Sequence, residues 1–368
     1  MTPMRLLALV PKRLGVAPGQ RFRLEQWAPR LRAHHDIAID FLPFESPRLG
    51  EIIQQRGRAL EKAARLLVAT WRRRRDVARA RDYDGVIIYR EAAALGPAFF
   101  ERWLARRGVP IYYDFDDAIW LRDPGSVNPR AAWLRFPGKV ATVCRLARAV
   151  IVGNQHLAAW ARGVCPPARV HVVPTTIELD RYPAQPEPAS DAFVITWSGT
   201  QSTLHHLEGL RPVLEALGRR RRVVLRVISH REPPRFAGVA TEYVPWCAAR
   251  EAEDVGSAHV GIMPLPDDEF ARGKCACKAL QYMATGRAVV VSPVGVNVDI
   301  VRHRENGLVA RTHDEWVAAL DELAGSPELR ARLGQAARAT VTGRFSAEIG
   351  AAIFARVVRG AGAVEGRA

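Results

Sequence analysis

Two lysines four residues apart, Lys274 and Lys278, are the residues whose type and spacing point most directly to chemistry. The chain has 54 basic residues but only five lysines, and two of the five stand here. The run 277–285 has an apolar helical face that Gly286 closes, and a spacing of four places both ammonium groups on one face of a helix. Cations at a helix N-terminus oppose the helix dipole, so the pattern predicts an anion beside them, with phosphate the natural candidate. The alternative is two solvated surface lysines.

Three carboxylates, Asp114, Asp116 and Asp117, follow a predicted buried strand in the segment IYYDFDDAIW. Asp-x-Asp after a strand is typical both of metal-dependent nucleotide-sugar sites and of haloacid-dehalogenase-like phosphatases, in which Asp114 would be the nucleophile and Asp116 the acid. The phosphatase signature has Thr where Ala118 stands, and the metal-dependent class lacks the second α/β domain predicted below. We therefore favour contact of Asp116 or Asp117 with an acceptor hydroxyl, as hydrogen-bond partner or base, and expect no bound metal.

Further candidates for acceptor contact lie in loops of the first half. The segment 11–20 is a Gly/Pro loop after the first predicted strand; it contains Gly15 and is followed by Arg21. It suits an acceptor or a phosphate, and a plain loop is the alternative. Asn154 follows another strand, where it is expected to cap a helix, with acceptor contact as the second hypothesis.

A small turn in the second half, SGTQST, stands between a predicted strand and a predicted helix. Such a turn can offer the backbone N–H groups of Gly199 and Thr200 to a pyrophosphate. It is neither G-x-G-x-x-G nor a Walker A motif, and an ordinary Ser/Thr helix cap explains it as well.

These residues must be positioned by alternating strands and helices, which is the pattern of a doubly wound parallel sheet. The predicted strands are 6–10, 37–42, 85–89, 110–113, 149–152 and 170–173 in the first half, then 193–197, 223–228, 259–263 and 288–292 in the second. The predicted helices include 22–33, 97–107, 155–162, 202–217 and 277–285. In such sheets ligands bind at the carboxyl ends of the strands.

The strand–helix pattern stops once, in the proline-rich segment PAQPEPAS at 183–190, which is typical of a linker. We therefore predict an α/β chain of two Rossmann-like domains, 1–184 and 185–345, that face each other across a cleft. An amphipathic helix within 346–363 is expected to pack back on the first domain.

Composition excludes several classes of protein. No apolar run approaches the roughly 20 residues that span a bilayer, and the apolar start is too short for a signal peptide. Five scattered cysteines argue against a zinc site and a disulfide framework, and favour a reducing cytoplasm.

The positive charge is concentrated in the first half. Residues 1–184 carry 31 Lys/Arg against 17 Asp/Glu, and residues 185–368 carry 23 against 21. An anionic membrane or a phosphorylated acceptor fits this excess, and the arginines at 72–75 after an apolar run are typical of an interfacial helix. Nucleic acid is not expected, because interleaved aromatic residues and a recognised binding motif are lacking.

Taken together, five segments resemble those of the GT-B-fold, family 4-type ("group 1") glycosyltransferases over nearly the whole chain. They are YYDFDDAIWL, VIVGNQHLAAWAR, VHVVPTTIELDRY, TWSGTQSTLHHLEGL and GIMPLPDDEFARGKCACKALQYMATGRAVVVSPVGVN. The resemblance implies transfer of a sugar from a nucleotide-sugar with retention of configuration and without a metal or other cofactor. The nucleotide would bind the second domain and the acceptor mainly the first.

The family's Glu-x7-Glu motif is altered here, since its register places Gly273 at the first position and Gln281 at the second. Gln281 can still hydrogen-bond a ribose, and one of the nearby acids Asp267, Asp268 or Glu269 is expected to replace the lost carboxylate. The cations that usually hold the pyrophosphate are also absent from the TQSTLHH segment. Their expected replacements are Arg272, Lys274 and Lys278, and Asn297 is assigned to the donor site as well.

The sequence therefore predicts a cytoplasmic hexosyltransferase that acts on a cell-envelope, polysaccharide or lipid-linked acceptor, at the inner face of the plasma membrane. Its partners would be a nucleotide-sugar, a glycan or lipid-linked acceptor and an anionic membrane. The alternatives are the phosphatase described above and a non-catalytic binding protein that has kept the GT-B fold.

Overall fold

Strands and helices alternate along the chain and build two separate parallel sheets. The computed structural model describes residues 3–53, 55, 57–121 and 136–360. The chain divides into two units, Met1–Thr175 with Ala347–Ala368, and Thr176–Ser346.

The first unit contains one six-stranded sheet and the helices that cover it. Its strands are β1 (Met4–Val10), β2 (Ile37–Pro43), β3 (Gly85–Tyr89), β4 (Ile111–Phe115), β5 (Ala149–Val152) and β6 (Val170–Val172). Its helices are α1 (Pro18–Gln20), α2 (Trp27–His35), α3 (Pro47–Ile52), α4 (Ala59–Ala78), α5 (Phe99–Arg106), α6 (Lys139–Leu146), α7 (Gln155–Arg162) and, from the end of the chain, α16 (Ala347–Val358). The strand order β2-β1-β3-β4-β5-β6 reverses between β1 and β3.

The second unit repeats this architecture with a different sequence. Its strands are β7 (Phe193–Ser198), β8 (Val223–Ser229), β9 (Ala240–Pro245), β10 (Val260–Met263), β11 (Ala288–Val291) and β12 (Leu308–Val309). Its helices are α8 (Leu204–Glu208), α9 (Arg211–Gly218), α10 (Glu251–Gly256), α11 (Glu269–Arg272), α12 (Cys277–Ala284), α13 (Asn297–Ile300), α14 (His313–Gly325) and α15 (Pro327–Arg344). The order β12-β11-β10-β7-β8-β9 reverses between β7 and β10.

Every strand pair in both sheets is parallel. Central strands such as β3, β4 and β11 are buried along their whole length, because helices cover both faces of a parallel sheet. The doubly wound α/β fold with two Rossmann-like domains is thereby confirmed. The points where the strand order reverses mark the edges at which such sheets bind ligands.

The last helix, α16, is part of the core of the first unit although it follows the second unit in sequence. It packs against α2, where the rings of Trp27 and Phe354 lie 5.7 Å apart. The hydroxyl of Tyr112 donates a hydrogen bond of 2.8 Å to the carbonyl oxygen of Val358 near the end of α16. The C-terminal segment thus completes the apolar layer over the first sheet.

The domain boundary lies between Thr175 and Thr176, not at the predicted 184/185. The predicted linker is held on the second unit by specific contacts. Gln185 donates from its backbone to Thr285 and from its side chain to Ala252, at 3.2 and 2.7 Å. Glu187 receives two 2.8 Å hydrogen bonds from Arg330. The prolines interrupt the helix and strand patterns of the sequence here, but hydrogen bonds from the side chains of Gln185 and Arg330 hold the segment in place.

Two further predictions about helices and strands are corrected by the structure. The helix predicted at 202–217 is broken at Gly209 and Leu210, because Pro212 has no N–H to donate and lies in the first turn of the new helix α9. The short or half-exposed edge strands β9 and β12 were not predicted, since neither shows a clear apolar run. Over the described residues, no helix combines the length and the apolar character that crossing a membrane requires.

We predict that Phe354→Ala destabilises the first unit by about 3–5 kcal/mol, because it removes a fully buried aromatic ring. Hydrogen exchange in increasing urea should show amides of β1 and β3 losing protection earlier than in the wild type. Phe99→Ala, which truncates a largely exposed ring of the same unit, is the matched control with an expected loss below about 1 kcal/mol. Equal losses in the two variants would contradict the packing role of α16.

Candidate active site

The acidic candidates of the first unit lie at the carboxyl end of β4, beside the carboxyl end of β3. Asp116 and Asp117 follow β4 directly, and Arg90 is the first residue after β3. We call Tyr89, Arg90, Asp116 and Asp117 the acidic cluster. Its location at the edge where strand ends converge is that expected for ligand binding.

Arg90 holds both carboxylates of the acidic cluster. Its guanidinium lies 2.7 Å from Asp116 and 2.6 Å from Asp117, and the hydroxyl of Tyr89 donates to Asp116 at 2.7 Å. The backbone of Arg90 adopts a left-handed conformation with φ of 58°, and its N–H donates to the carbonyl oxygen of Asp114. A strained backbone of this kind occurs most often at functional sites.

The ionisation of Asp116 is set by these neighbours. Burial alone would raise its pKa, but Arg90, Arg23 and the Tyr89 hydroxyl together outweigh burial and lower the pKa of Asp116. Asp116 is therefore a carboxylate at neutral pH and a weak proton acceptor. It is suited to accept a hydrogen bond from a hydroxyl, and less suited to the general-base role that was one of its two predicted roles.

Asp114 does not take part in the acidic cluster, contrary to the prediction of acceptor contact. Its side chain is fully buried, and both carboxylate oxygens accept hydrogen bonds from Arg23 at 2.7 and 2.8 Å. Arg23 also donates to the carbonyl oxygen of Val173, so the pair braces the core. A carboxylate in this position cannot attack a phosphoester, and the phosphatase alternative is therefore wrong.

The other predicted acceptor residues have structural contacts. The N–H of Gly15 donates to Glu25 at 2.8 Å, which folds the loop after β1 onto the π-helical turn at 21–25. Arg21 is buried with its guanidinium over the ring of Phe22. Asn154 caps α7 by accepting the N–H of Leu157 at 2.9 Å, as its first interpretation predicted. Acceptor contact stays a prediction for Gly15, Arg21 and Asn154.

The loop after β1 approaches the acidic cluster closely at Gly19, which the sequence did not single out. A Cβ at Gly19 would lie 2.2 Å from both the Asp116 carboxylate and the Tyr89 hydroxyl. Only glycine lets the backbone of α1 pass this close. The backbone of Gly19 therefore forms one wall of the acidic cluster.

The cationic candidates of the second unit lie between the loop after β7 and the start of α12, where the sheet order reverses. The N-cap residue of α12, Ala276, has a left-handed φ of 52° and provides no side-chain cap. The helix ends as predicted, with Gly286 at a φ of 77°. We call Lys274, Lys278 and His206 the basic cluster.

Both lysines of the basic cluster lie over aromatic rings. The ammonium nitrogen of Lys278 is 5.0 Å from the ring centre of Trp197 and 3.5 Å from the hydroxyl of Thr203. The ammonium nitrogen of Lys274 is 4.7 Å from the ring of Phe270. An aromatic face attracts a cation through the negative charge density above the ring, so the two rings help to position the ammonium groups.

His206 on α8 was not identified from the sequence, yet it responds to both lysines. Burial first, and then the charges of His205, Lys278 and Lys274, lower the pKa of His206 to about 3. Its Nδ1 atom is buried and has no hydrogen-bond partner among the described residues. The imidazole is thus neutral at physiological pH beside two cations, and it can donate or accept a hydrogen bond.

The N–H groups of Gly199 and Thr200, predicted to bind a pyrophosphate, already have acceptors in the protein. Gly199 donates to Ile228 at 3.0 Å, and Thr200 donates to the hydroxyl of Thr203 at 3.1 Å. Thr200 and Thr203 form a capping box, which is the alternative that the sequence left open. The side chains of the basic cluster are therefore stronger candidates for anion binding at this edge than these two N–H groups.

Gln281 and Asn297 also have partners within the protein. The side chain of Gln281 is buried and donates at 2.8 Å to the hydroxyl of Tyr182, which in turn donates to Glu251. Asn297 is buried and donates to the carbonyl oxygen of Ser292, which fixes the turn before α13. Each amide nitrogen thus uses one of its two N–H donors within the protein.

Arg272 and the acids near it are paired with one another. Arg272 lies 2.8 Å from Asp267 on the surface, and Asp268 caps α11 through the N–H of Ala271. The carboxylate that is buried in this region is Glu251, which also accepts from the indole of Trp246 at 2.8 Å. The sequence analysis did not consider Glu251 among the acids near Gly273, because the two residues are distant along the chain.

We predict that Gly19→Ala destabilises the first unit by about 1–3 kcal/mol, because its methyl group overlaps the hydrogen-bonded Tyr89 and Asp116. Gly138→Ala is the matched control, since a Cβ at Gly138 meets open space. Urea unfolding of the two variants measures the difference. An unchanged midpoint for Gly19→Ala would show that α1 can move away from the acidic cluster.

A second prediction concerns the dependence of stability on pH. Since the pKa of His206 is lowered in the fold, the unfolded chain binds a proton below about pH 6.5 and the folded chain does not. The stability tied to the neutral imidazole is thus full above pH 6.5 and decreases as the pH falls towards 4. His206→Gln should flatten the fall in unfolding free energy between pH 6.5 and 4, whereas His313→Gln, which removes an exposed imidazole of the same unit, should not. If the unfolding free energies of His206→Gln and the wild type fell in parallel with pH, the role assigned to His206 would be contradicted.

Comparison with known families gives one match within the second unit. Residues 192–326 match the model of the family described as Glycosyl transferases group 1. This range includes the whole basic cluster and ends one residue after α14. No curated protein matches the chain by sequence.

Solved structures resemble the chain over nearly its whole length. A sucrose-phosphate synthase from Thermosynechococcus elongatus aligns with a TM-score of 0.70 and 15% identity, covering 97% of this chain and 98% of the other. HepE of Anabaena, solved with UDP and glucose, aligns with a TM-score of 0.65 and 13% identity, covering 97% of this chain and 100% of the other. A glycosyltransferase from Rickettsia africae aligns with a TM-score of 0.65 and 14% identity, covering 98% of this chain and 100% of the other. The chain thus has the GT-B fold of these structures, and its residues 192–326 resemble the family described as Glycosyl transferases group 1.

Proposed function

We propose that the protein is a retaining glycosyltransferase that moves a hexose from a nucleotide-sugar to a cell-envelope polysaccharide or a lipid-linked acceptor. The observation that carries the proposal is the basic cluster, since two cations and a neutral imidazole lie together within the family-matching region. Charge develops on the leaving diphosphate during sugar transfer. Preorganised cations stabilise that charge more in the transition state than in the ground state.

The donor is assigned to the second unit and the acceptor to the first. Lys278, Lys274 and the hydroxyl of Thr203 are the groups proposed to contact the diphosphate. The acidic cluster is proposed to accept a hydrogen bond from the acceptor hydroxyl through Asp116 or Asp117, because Arg90 forms ion pairs with both carboxylates and holds them in place. HepE was solved with UDP and with UDP-glucose, which makes a uridine diphosphate sugar the first donor to test.

The cations of the basic cluster take the place that a metal holds in other glycosyltransferases, so we propose a reaction without a bound metal or other cofactor. We place the protein in the cytoplasm at the inner face of the plasma membrane. The free, buried thiols of Cys144 and Cys165 support a reducing compartment, and the basic excess of the first half supports contact with an anionic lipid carrier.

The function is tested by incubating the protein with UDP-, GDP-, ADP- and dTDP-sugars and measuring nucleoside diphosphate release. We expect one donor to be consumed, with and without a chelator, and the product anomer seen by NMR to match the donor. Calorimetry with the four free diphosphates identifies the base independently of the acceptor. Absence of binding to all four would favour a non-catalytic protein, for which the loss of a carboxylate at Gly273 is the supporting observation.

We predict that Lys278→Ala lowers kcat by about 10²- to 10³-fold with the identified donor, as loss of one preorganised group at a developing anion does. Lys274→Ala should have an effect in the same range, because both ammonium groups act on the same imidazole. Arg219→Ala, which removes an exposed cation of the same unit, is the matched control and should leave kcat unchanged. Near-normal turnover in both lysine variants would remove these residues from the mechanism.

A further inference from the structure

Helix α4 buries charged residues, Arg73 and Asp76, beside Ala69 and Val77, and it exposes large apolar residues on its outer side. Its side toward the protein contains Arg73, which is fully buried and donates to the carbonyl oxygens of Leu42 and Val10 at 2.8 and 3.1 Å. Arg72 donates to Pro43 and Phe44 at 2.9 and 2.7 Å. These carbonyl groups lie at the ends of β1 and β2, so the fold requires hydrogen-bond donors on the inner face of α4.

The outer face of α4 is apolar. Leu60, Leu67, Val68 and Trp71 are 88, 72, 65 and 55% exposed, and Ala64 is exposed between them. We call these five residues the outer stripe. Their spacing of four, three, one and three residues places them on one face of the helix, along about 17 Å at 1.5 Å per residue. Exposed apolar residues in such a continuous stripe mark an interaction surface.

Cations border the outer stripe at its C-terminal end. Arg74, Arg75 and Arg79 are exposed, and the guanidinium of Arg75 lies 3.7 Å from the ring centre of Trp71. The acid nearest to the stripe, Glu61, is neutralised by Arg48 and Arg65 at 3.0 and 3.2 Å. An apolar stripe with tryptophan at its boundary and arginine beyond it is the composition that binds the interface of a bilayer.

We propose that α4 is a membrane-docking helix that lies in the headgroup region of an anionic bilayer. The outer stripe enters the acyl boundary, and Arg74, Arg75 and Arg79 meet lipid phosphates. Charge decides between a bilayer and a second copy of this chain. Residues 1–184 carry 31 basic against 17 acidic residues, which repels a like surface and attracts an anionic one.

This inference corrects the sequence-based expectation for the four arginines at 72–75. That pattern predicted four lipid-facing cations, but Arg72 and Arg73 bond to backbone carbonyls within the first unit. Only Arg74 and Arg75 of the four are exposed. Replacing all four would therefore damage the fold and leave the cause of weaker binding undecided.

The inference deepens the proposed function by naming the element that brings a lipid-linked acceptor within reach. Its test is independent of catalysis, because binding of the full chain to vesicles is measured without donor or acceptor. Vesicles of phosphatidylcholine with 30% phosphatidylglycerol are compared with vesicles of phosphatidylcholine alone by co-sedimentation. We expect salt-sensitive binding to the anionic vesicles only.

Two variants separate the contribution of α4 from that of net charge. Arg74→Gln/Arg75→Gln should weaken binding about 30-fold, since each basic residue near an anionic surface contributes about 1 kcal/mol. Arg219→Gln/Arg220→Gln removes the same charge from exposed positions of the second unit and should leave binding within about twofold. Equal losses in the two double variants would overturn the proposal, because net charge alone would then explain binding.

The apolar contribution is tested by Leu67→Gln/Trp71→Gln, which should lower binding to anionic vesicles at least tenfold. Both side chains are exposed, so unchanged circular dichroism and melting temperature are expected and confirm that the variant folds. Unchanged binding by this variant would overturn the proposal. Light scattering of the wild type that shows a dimer dissociated by the same two changes would also overturn it, since the stripe would then be covered by a second copy.

Discussion

Parallel strand pairing is the constraint on which both proposed sites depend. Because every strand in each sheet runs the same way, every connection must cross over through a helix or loop, and all the carboxyl ends meet at one edge. The order reverses once in each sheet, between β1 and β3 and between β7 and β10. The crossovers diverge at these points, and the acidic and basic clusters lie beside them.

The two clusters hold charges of opposite sign by different contacts. In the acidic cluster, Arg90 and Tyr89 stabilise the ionised form of Asp116 and lower its pKa against the effect of burial. In the basic cluster, aromatic rings lie under Lys274 and Lys278, and the nearby His206 stays neutral. In the acidic cluster, an arginine stabilises the carboxylate of Asp116. In the basic cluster, two lysines lie close together where an anionic diphosphate is proposed to bind.

Arginine performs two physically different tasks in this chain. Arg23, Arg73 and Arg330 are buried and donate to carboxylates or backbone carbonyls, so they act as internal cross-links between elements. The planar guanidinium with five N–H groups suits this task, since it can satisfy several acceptors at once. Other arginines, such as Arg74 and Arg75, are exposed and give the first unit its surface charge. A count of basic residues does not distinguish the two tasks.

The sequence by itself determined the fold class, the positions of most central strands and the helix around Lys278. Buried parallel strands are continuous apolar runs and helix ends carry local signals such as Gly286, so both can be recognised along the chain.

Tertiary structure decided which partners the polar groups have. Gly199 and Thr200 have the local pattern of a phosphate-binding turn, yet Ile228 and Thr203 accept their N–H groups. Asp114 and Asp116 are two residues apart, but Asp114 is fully buried and bonded to Arg23, from a helical turn 91 residues earlier, whereas Asp116 pairs with Arg90. Hydrogen-bond partners and burial depend on residues distant in sequence, so local sequence patterns could not predict them.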